Sequence, residues 1–154
     1  MNPVNETTKY IDIHAHAYRQ SPPLPVRFCT PEEVLERYDA AGIEKGVLLP
    51  IVSPEIYLPQ ANEDILEIAK RYPKRFIPFY NIDPRALTNS VDAPLDKILG
   101  YYRDQGCKGL GEVMLNVPMN HPMVQNLFKH AQNVGLPVIC DGSEEQIKNY
   151  LDNA

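Results

Sequence analysis

Short apolar runs alternate with longer segments of helical period along most of the chain. The runs are rich in Val, Ile and Leu, and the segments between them repeat apolar residues every three or four positions. The runs predict strands at 10–14, 45–51, 75–82, 108–114 and 136–140. This alternation of strand and helix is typical of βα units around a parallel sheet.

Local signals mark the ends of the helices between these runs. Thr30 precedes a proline and two glutamates, which predicts a helix N-terminus, and that helix is expected to end near Gly42. Further helices are predicted at 62–72, 94–103, 122–134 and after Ser143. Nearly continuous apolar strands indicate a sheet covered on both faces, so a TIM-like barrel and a doubly wound sheet are the two candidate folds. No G-x-G-x-x-G motif follows the first strand and no Walker A loop is present, which argues against nucleotide binding.

Charge and hydropathy limit the classes of partner that the chain is expected to bind. The formal net charge is −5 and the isoelectric point is near 5.3, so nucleic acid is not an expected partner. The N-terminal residues contain no apolar signal core, and no window approaches the roughly 18 apolar residues of a membrane span. We therefore expect a cytoplasmic protein that does not enter the membrane.

The first predicted strand ends in two histidines, His14 and His16. Because side chains alternate along a strand, one face is predicted to carry Asp12, His14 and His16 toward the sheet interior. The other face is predicted to turn Ile11, Ile13 and Ala15 toward the helices. Positions two apart lie about 6.6 Å from each other, so two imidazoles can converge on one ion. Histidines at this spacing also occur on exposed strands without a metal, but the end of a barrel strand is where catalytic groups lie.

IDIHAHAY resembles the first-strand D-x-H-x-H motif of the amidohydrolase superfamily. Later segments are similar to its amidohydrolase-2 branch of metal-dependent hydrolases and non-oxidative decarboxylases: TPEEVLERYDAAGIEKGVLLP, RYPKRFIPFYNIDPR, GCKGLGEVMLNVP and GLPVICD. The resemblance spans nearly the whole chain. It implies a divalent metal, most commonly zinc, at the mouth of a distorted (β/α)₈ barrel, with His14 and His16 as the first two ligands.

The sequence departs from the family pattern at two points. Asp141 stands where the family has a histidine after strand five, and a carboxylate can bind the same metals at about 2.0–2.2 Å. Asp141 is thus predicted as a metal ligand or catalytic group. The family's further histidine after strand six and its aspartate base after strand eight have no counterpart here. A complete barrel takes about 250 residues, so we expect residues 1–154 to form one barrel domain, incomplete at its C-terminus, with about five of eight βα units.

Four further residues are candidates for the site. Glu112 in Gly-Leu-Gly-Glu is predicted to be catalytic, as a ligand or general base, because a related branch places a metal-binding glutamate in a similar motif. The alternative is a glutamate that is only hydrogen-bonded inside the barrel mouth. Asn81 lies at the end of the third predicted strand, and Tyr18 and Arg19 come just after the histidines. All three are candidates for substrate binding, with ordinary turn and loop roles as the alternative.

Three functions remain open on these residues. The first is hydrolysis of a small-molecule amide, ester or lactone by a metal-activated water. The second is metal-dependent, non-oxidative decarboxylation of a small carboxylic acid. The third is a non-catalytic fragment or binding module that associates with another chain, such as a second copy, because unpaired sheet edges favour association.

Overall fold

The computed structural model describes residues 9–21, 25–51, 58–113 and 117–152, in which strands and helices alternate strictly. In chain order the elements are β1 (Tyr10–Ala15), α1 (Pro31–Ala41), β2 (Ile43–Leu48), α2 (Leu58–Arg71), β3 (Phe76–Pro78), α3 (Asp96–Asp104), β4 (Leu110–Val113), α4 (Pro122–Asn133), β5 (Val138–Cys140) and α5 (Glu144–Leu151).

All strand pairs are parallel and join strands that are consecutive in the chain. One sheet has the order β1-β2-β3 and another has the order β4-β5. A parallel bridge between Tyr80 and Leu110 connects the two. Across the described residues the strands thus run in order from β1 to β5 without closing into a barrel. The predicted α/β fold with five βα units is confirmed.

Local capping signals set the ends of α1 as predicted. The Thr30 side chain accepts a hydrogen bond from the Glu33 amide at 3.3 Å, and the Glu33 carboxylate accepts one from the Thr30 amide at 2.8 Å. This reciprocal capping satisfies two amides at the helix start. Gly42 ends the helix with φ of 72°, a left-handed conformation that glycine adopts without steric cost.

β2 to β5 are shorter than the apolar runs that predicted them, whereas β1 extends one residue beyond its run. β2 begins two residues before the run at 45–51 and ends at Leu48, and the run at 75–82 forms β3 only from Phe76 to Pro78. The run at 108–114 forms β4 up to Val113, and residue 114 lies outside the described residues. Apolar character continues past the strand ends because the chain there is still buried, as at Leu49 and Ile82.

The helices cover one face of the sheet. Around α1 and α2 the core includes Val34, Tyr38, Leu48, Ile65 and Phe76. A second cluster joins the segment after β3 to β4, α3 and α4 through Tyr80, Leu99, Leu110, Val113 and Leu127. On the opposite face a smaller cluster contains Val47, Leu49 and Phe79.

A β-bulge in β1 changes which side chains share a face. Asp12 pairs with Gly46 and Ala15 pairs with Leu48, so three steps along β1 oppose two along β2. Ala15 lies in the helix-side core as predicted, but Asp12 also lies on that side, where its Oδ2 accepts a hydrogen bond from Tyr38 at 2.9 Å. The prediction that Asp12 shares the face of the two histidines is therefore wrong, because the bulge interrupts the alternation.

The same bulge leaves two predicted core residues exposed. Ile11 is 57% exposed and Ile13 is 68% exposed, so the prediction that both pack against the helices is also wrong. Gly46 makes the helix-side arrangement possible, since a Cβ there would clash with the Tyr38 hydroxyl oxygen. In the described part of the chain, no helix is both long and apolar enough to cross a membrane.

Candidate metal centre

Three side chains from two separated strands meet at the carboxyl end of the sheet. His14 belongs to β1, His16 follows it, and Glu112 belongs to β4. The Nε2 atoms of the two histidines lie 3.2 Å apart, and each lies 3.2 Å from Oε2 of Glu112. The three donor atoms therefore form a triangle with equal sides.

The size of this triangle fits a metal site. For donors about 2.1 Å from an ion, tetrahedral geometry separates neighbouring donors by roughly 3.4 Å and octahedral geometry by roughly 3.0 Å. The observed 3.2 Å lies between these values. Within the described residues, these are the His, Cys, Asp and Glu side chains that group closely enough to hold an ion. The donor set of two imidazoles and one carboxylate suits several divalent metals.

His16 is oriented by a backbone carbonyl. Its Nδ1 lies 2.8 Å from the carbonyl oxygen of Leu49, which can only accept, so Nδ1 carries the proton and donates. The Nε2 of a neutral His16 is then unprotonated and directed toward Glu112. A metal-binding histidine that donates its other N–H to a carbonyl is a recurring arrangement, because the bond fixes both tautomer and ring orientation.

His14 is held through its backbone instead. Its side chain is 41% exposed, compared with 19% for His16. Its amide donates to Oδ1 of Asp12 at 2.9 Å. The bulge removes this part of β1 from the regular ladder, and the Asp12 carboxylate supplies the acceptor locally. Asp12 thereby connects His14 to Tyr38 on α1.

Glu112 is a buried carboxyl, only 6% exposed. Burial raises its pKa, a hydrogen bond with Asp141 raises it further, and the two nearby histidines act in the opposite direction. A second carboxyl beside Glu112 disfavours the ionised form of Glu112. Asp141 is exposed and lies beside Glu112, outside the group of three donors. Its predicted role as ligand or catalytic group stays a prediction.

Glu112 also lies at a bulge. In β4 and β5, Leu110 pairs with Val138 and Val113 pairs with Cys140, so three steps again oppose two. The carbonyl oxygen of Glu112 accepts a hydrogen bond from Nδ2 of Asn81. Both strands that supply donor atoms thus carry a bulge next to the donor residue.

Asn81 belongs to a buried amide pair with Asn62 on α2. Nδ2 of Asn62 donates to the Asn81 carbonyl at 2.8 Å, and the Asn81 amide donates to Oδ1 of Asn62 at 2.9 Å. Sequence reasoning placed Asn81 at the site but missed Asn62. The available signal was its position, because Asn62 lies three and seven residues before Ile65 and Ala69 on the apolar stripe of the helix.

The remaining substrate candidates are engaged with other partners. Tyr18 is 6% exposed, its hydroxyl accepts a hydrogen bond from the Ile51 amide at 2.9 Å, and burial raises its pKa to about 12. Arg19 pairs with Asp64 and Glu67 on α2. Substrate binding by Asn81, Tyr18 and Arg19 stays a prediction.

Comparison with known proteins finds similarity in structure only. No protein-family model matches the sequence, and no curated protein matches it. The fold is similar to a probable 2-pyrone-4,6-dicarboxylic acid hydrolase from Acinetobacter baumannii with bound citric acid. The TM-score is 0.64 and the identity 16%, over 92% of this chain and 52% of that one.

Two further structures show the same relationship. An amidohydrolase II has a TM-score of 0.63 at 18% identity, over 87% of this chain and 50% of that one. A 5-carboxyvanillate decarboxylase from Novosphingobium aromaticivorans, with bound manganese, has a TM-score of 0.63 at 16% identity, over 94% of this chain and 56% of that one.

These similarities confirm the predicted resemblance at the level of the fold. The chain spans about half the length of the solved chains it matches. Its five βα units therefore have the fold of part of an amidohydrolase-type barrel, and its carboxyl strand ends bring together two histidines and a glutamate that could hold a metal ion.

Proposed function

We propose that His14, His16 and Glu112 bind a divalent metal ion and that the chain contributes this centre to a hydrolase of the amidohydrolase type. The observation that carries the proposal is the triangle of donor atoms with sides of 3.2 Å at the carboxyl ends of β1 and β4. The substrate class is a small-molecule amide, ester or lactone.

The residues of the chain have separate tasks in this proposal. His14 and His16 bind through Nε2, and the Leu49 carbonyl keeps the proton of His16 on Nδ1. Glu112 binds through Oε2, and its contact with Asp141 puts a second carboxyl beside the centre. When bound, a metal such as zinc supplies a Lewis acid and a water whose pKa is lowered from 15.7 to about 7. Asp141 is then available to bind the ion or to accept a proton.

Zinc is the metal we propose first, and manganese is the alternative. Two imidazoles and one carboxylate form a common zinc donor set. The manganese bound to the 5-carboxyvanillate decarboxylase of similar fold supports the alternative. The donor spacing of 3.2 Å is compatible with either a tetrahedral or an octahedral ion, so it does not choose between them.

Metal binding is tested first, on the purified chain after chelation. Zn²⁺ and Mn²⁺ are titrated by calorimetry into the wild type and into His14→Ala, His16→Ala and Glu112→Gln. We expect one ion per chain and a loss of affinity in all three variants. His121→Ala is the matched control, since His121 caps α4 by accepting from the Met123 amide and lies outside the donor group. Wild-type affinity in all three variants would exclude this centre.

Activity is tested on a panel of lactones, esters and hydroxybenzoates. Decarboxylation of a small carboxylic acid is the second candidate, and it is favoured by the similarity to 5-carboxyvanillate decarboxylase. Release of acid from a lactone or ester supports the hydrolase, whereas release of carbon dioxide from a hydroxybenzoate supports the decarboxylase. Activity that survives Glu112→Gln would contradict both mechanisms.

A non-catalytic module is the remaining alternative, supported by the half-length match to the solved chains. Sedimentation and gel filtration separate it from the enzyme proposals. A metal-free, inactive chain that forms a stable homo-oligomer or complex would favour this alternative. A metal-bound chain with His14-dependent turnover would exclude it.

A further inference from the structure

At each of the two bulges, one side chain forms a hydrogen bond with a backbone group. Asp12 does so as an acceptor and Asn81 as a donor. At the β1 bulge, Oδ1 of Asp12 accepts from the His14 amide at 2.9 Å. At the β4 bulge, Nδ2 of Asn81 donates to the Glu112 carbonyl. In each case the backbone group belongs to a residue that supplies a donor atom to the triangle. A bulge leaves a residue out of the ladder, and here a side chain supplies the missing partner.

Asp12 and Asn81 are each hydrogen-bonded to a residue of a neighbouring helix. The second oxygen of Asp12 accepts from Tyr38 of α1 at 2.9 Å. Asn81 is held through its backbone by Asn62 of α2, at 2.8 and 2.9 Å. The position of each bulge is thus coupled to a helix on the outer layer.

The orientation of the Asn81 amide supports a specific role. Its nitrogen must face the Glu112 carbonyl, because the opposite orientation would place two acceptor oxygens together. Oδ1 of Asn81 is then buried without a hydrogen-bond partner among the described residues. The Asn81 side chain is therefore directed at the Glu112 backbone and not at another side chain.

We propose that Asp12 and Asn81 are positioning residues that set the backbone at the two bulges so that His14 and Glu112 converge. The proposal rests on the proposed function, in which this triangle binds a metal. Neither residue contributes an atom to the triangle, and each acts through the backbone of its neighbour.

The first test measures Co²⁺ affinity and the visible absorption of bound Co²⁺. The variants are Asp12→Ala, Asp12→Asn and Asn81→Ala, with Asn126→Ala as the control, because Nδ2 of Asn126 also donates to a backbone carbonyl, that of Ala93. Partners that orient metal ligands typically change affinity by about 10–100-fold. We expect losses of that size in Asp12→Ala and Asn81→Ala, with an altered spectrum. Asp12→Asn should restore affinity, because its amide oxygen still accepts from His14.

The second test does not require a metal. The imidazole nitrogen resonances of His14 and His16 are recorded by NMR in the chelated wild type and variants, with circular dichroism to check the fold. We expect these resonances to shift in Asp12→Ala and Asn81→Ala but not in Asn126→Ala. If Asn81→Ala does not fold, the two Asp12 variants decide, because Asp12 is only partly buried.

Two outcomes separate this inference from the proposed function. Co²⁺ binding by the wild type that is unchanged in folded Asp12→Ala and Asn81→Ala would overturn the positioning role and leave the metal site standing. A wild type that binds no Co²⁺ would overturn the proposed function. In that case the histidine resonances of the chelated proteins test the positioning role. Resonances that are unchanged in the variants would overturn it, and shifted resonances would support it.

Discussion

β1 and β4 supply the same donor triangle from very different surroundings. All four residues of β4 are buried, and the strand lies between β5 and the bridge to Tyr80, two residues after β3. In β1, Ala15 is the buried residue, and among the described strands β1 pairs with β2 alone. One side of the candidate metal centre is thus embedded in the core, and the other lies on an exposed strand.

Because of this difference, mutations in the two strands are expected to affect stability and metal binding differently. A change in β4 removes core packing and alters Glu112 at the same time, so its effects on folding and on metal binding are expected together. A change in β1 can alter His14 with little loss of packing. We therefore expect mutations in β4 to lower both stability and metal affinity, and mutations in β1 to lower metal affinity with little loss of stability.

The largest expected effect is on stability at β4. Leu110→Ala removes a fully buried side chain, and such changes typically cost 2–5 kcal/mol, so we expect a loss of about 3 kcal/mol. Ile13→Ala in β1, at 68% exposure, should change the free energy of unfolding by less than about 0.5 kcal/mol. Urea unfolding followed by circular dichroism measures both. Equal losses would show that β1 is as well packed as β4.

The next effect is on metal affinity at β1. His14→Ala removes a donor atom from a side chain that is 41% exposed, so metal affinity should fall by more than about 100-fold, beyond the range for residues that only orient ligands. The stability of the chelated protein should change by less than about 0.5 kcal/mol. Calorimetric titration and urea unfolding of the same sample check both values. A large loss of stability would mean that His14 also supports the fold.

A third prediction concerns the connection of β1 to α1. Tyr38→Phe removes the hydrogen bond to Asp12, and bonds to charged groups contribute about 1.5–3 kcal/mol, so we expect a loss near the lower value. Burial, followed by the bond to Asp12, raises the pKa of Tyr38. A raised pKa favours the folded state below the ordinary tyrosine pKa of about 10, and this contribution is lost as the pH rises above it. Stability of the wild type should fall toward that of Tyr38→Phe in alkaline urea titrations, and parallel curves would contradict the assignment.

The smallest expected effect lies at the start of β1. Lys9 and Glu44 form an exposed ion pair at 3.6 Å, and such pairs contribute about 0–1 kcal/mol. Glu44→Gln should destabilise the protein by less than about 0.5 kcal/mol at low salt, and the difference should vanish at high salt. Thermal unfolding at two salt concentrations tests this. A larger, salt-independent loss would indicate that this exposed end is more firmly held than its surroundings suggest.

Features determined by neighbours in sequence were predictable. The capped start of α1 at Thr30 and its end at Gly42 depend on a few adjacent residues, and both are present. The βα order follows from hydrophobic period, which also depends on local sequence. His14 and His16 were candidates because they close the first predicted strand, and Glu112 because of its Gly-Leu-Gly-Glu motif; the fold brings all three together.

Features determined by pairing across the sheet were not predictable. The bulge in β1 depends on its register with β2, so strict alternation placed Asp12 on the wrong face. Asn62 looked like an ordinary residue of an amphipathic helix, because its partner Asn81 is 19 residues away. The partners of Arg19 on α2, Asp64 and Glu67, lie 45 and 48 residues further along and could not be predicted from the local pattern.

The order of the strands has a consequence for how the protein acquires its site. Each strand lies beside the one before it in the chain, so successive contacts form between segments already brought close by the preceding βα unit. The contact between His14 and Glu112 is different, because it spans 98 residues. During synthesis the first three strands can pair before β4 has left the ribosome. The donor triangle can therefore form only after β4 has docked, and we expect a change that delays the docking of β4 to delay metal binding as well.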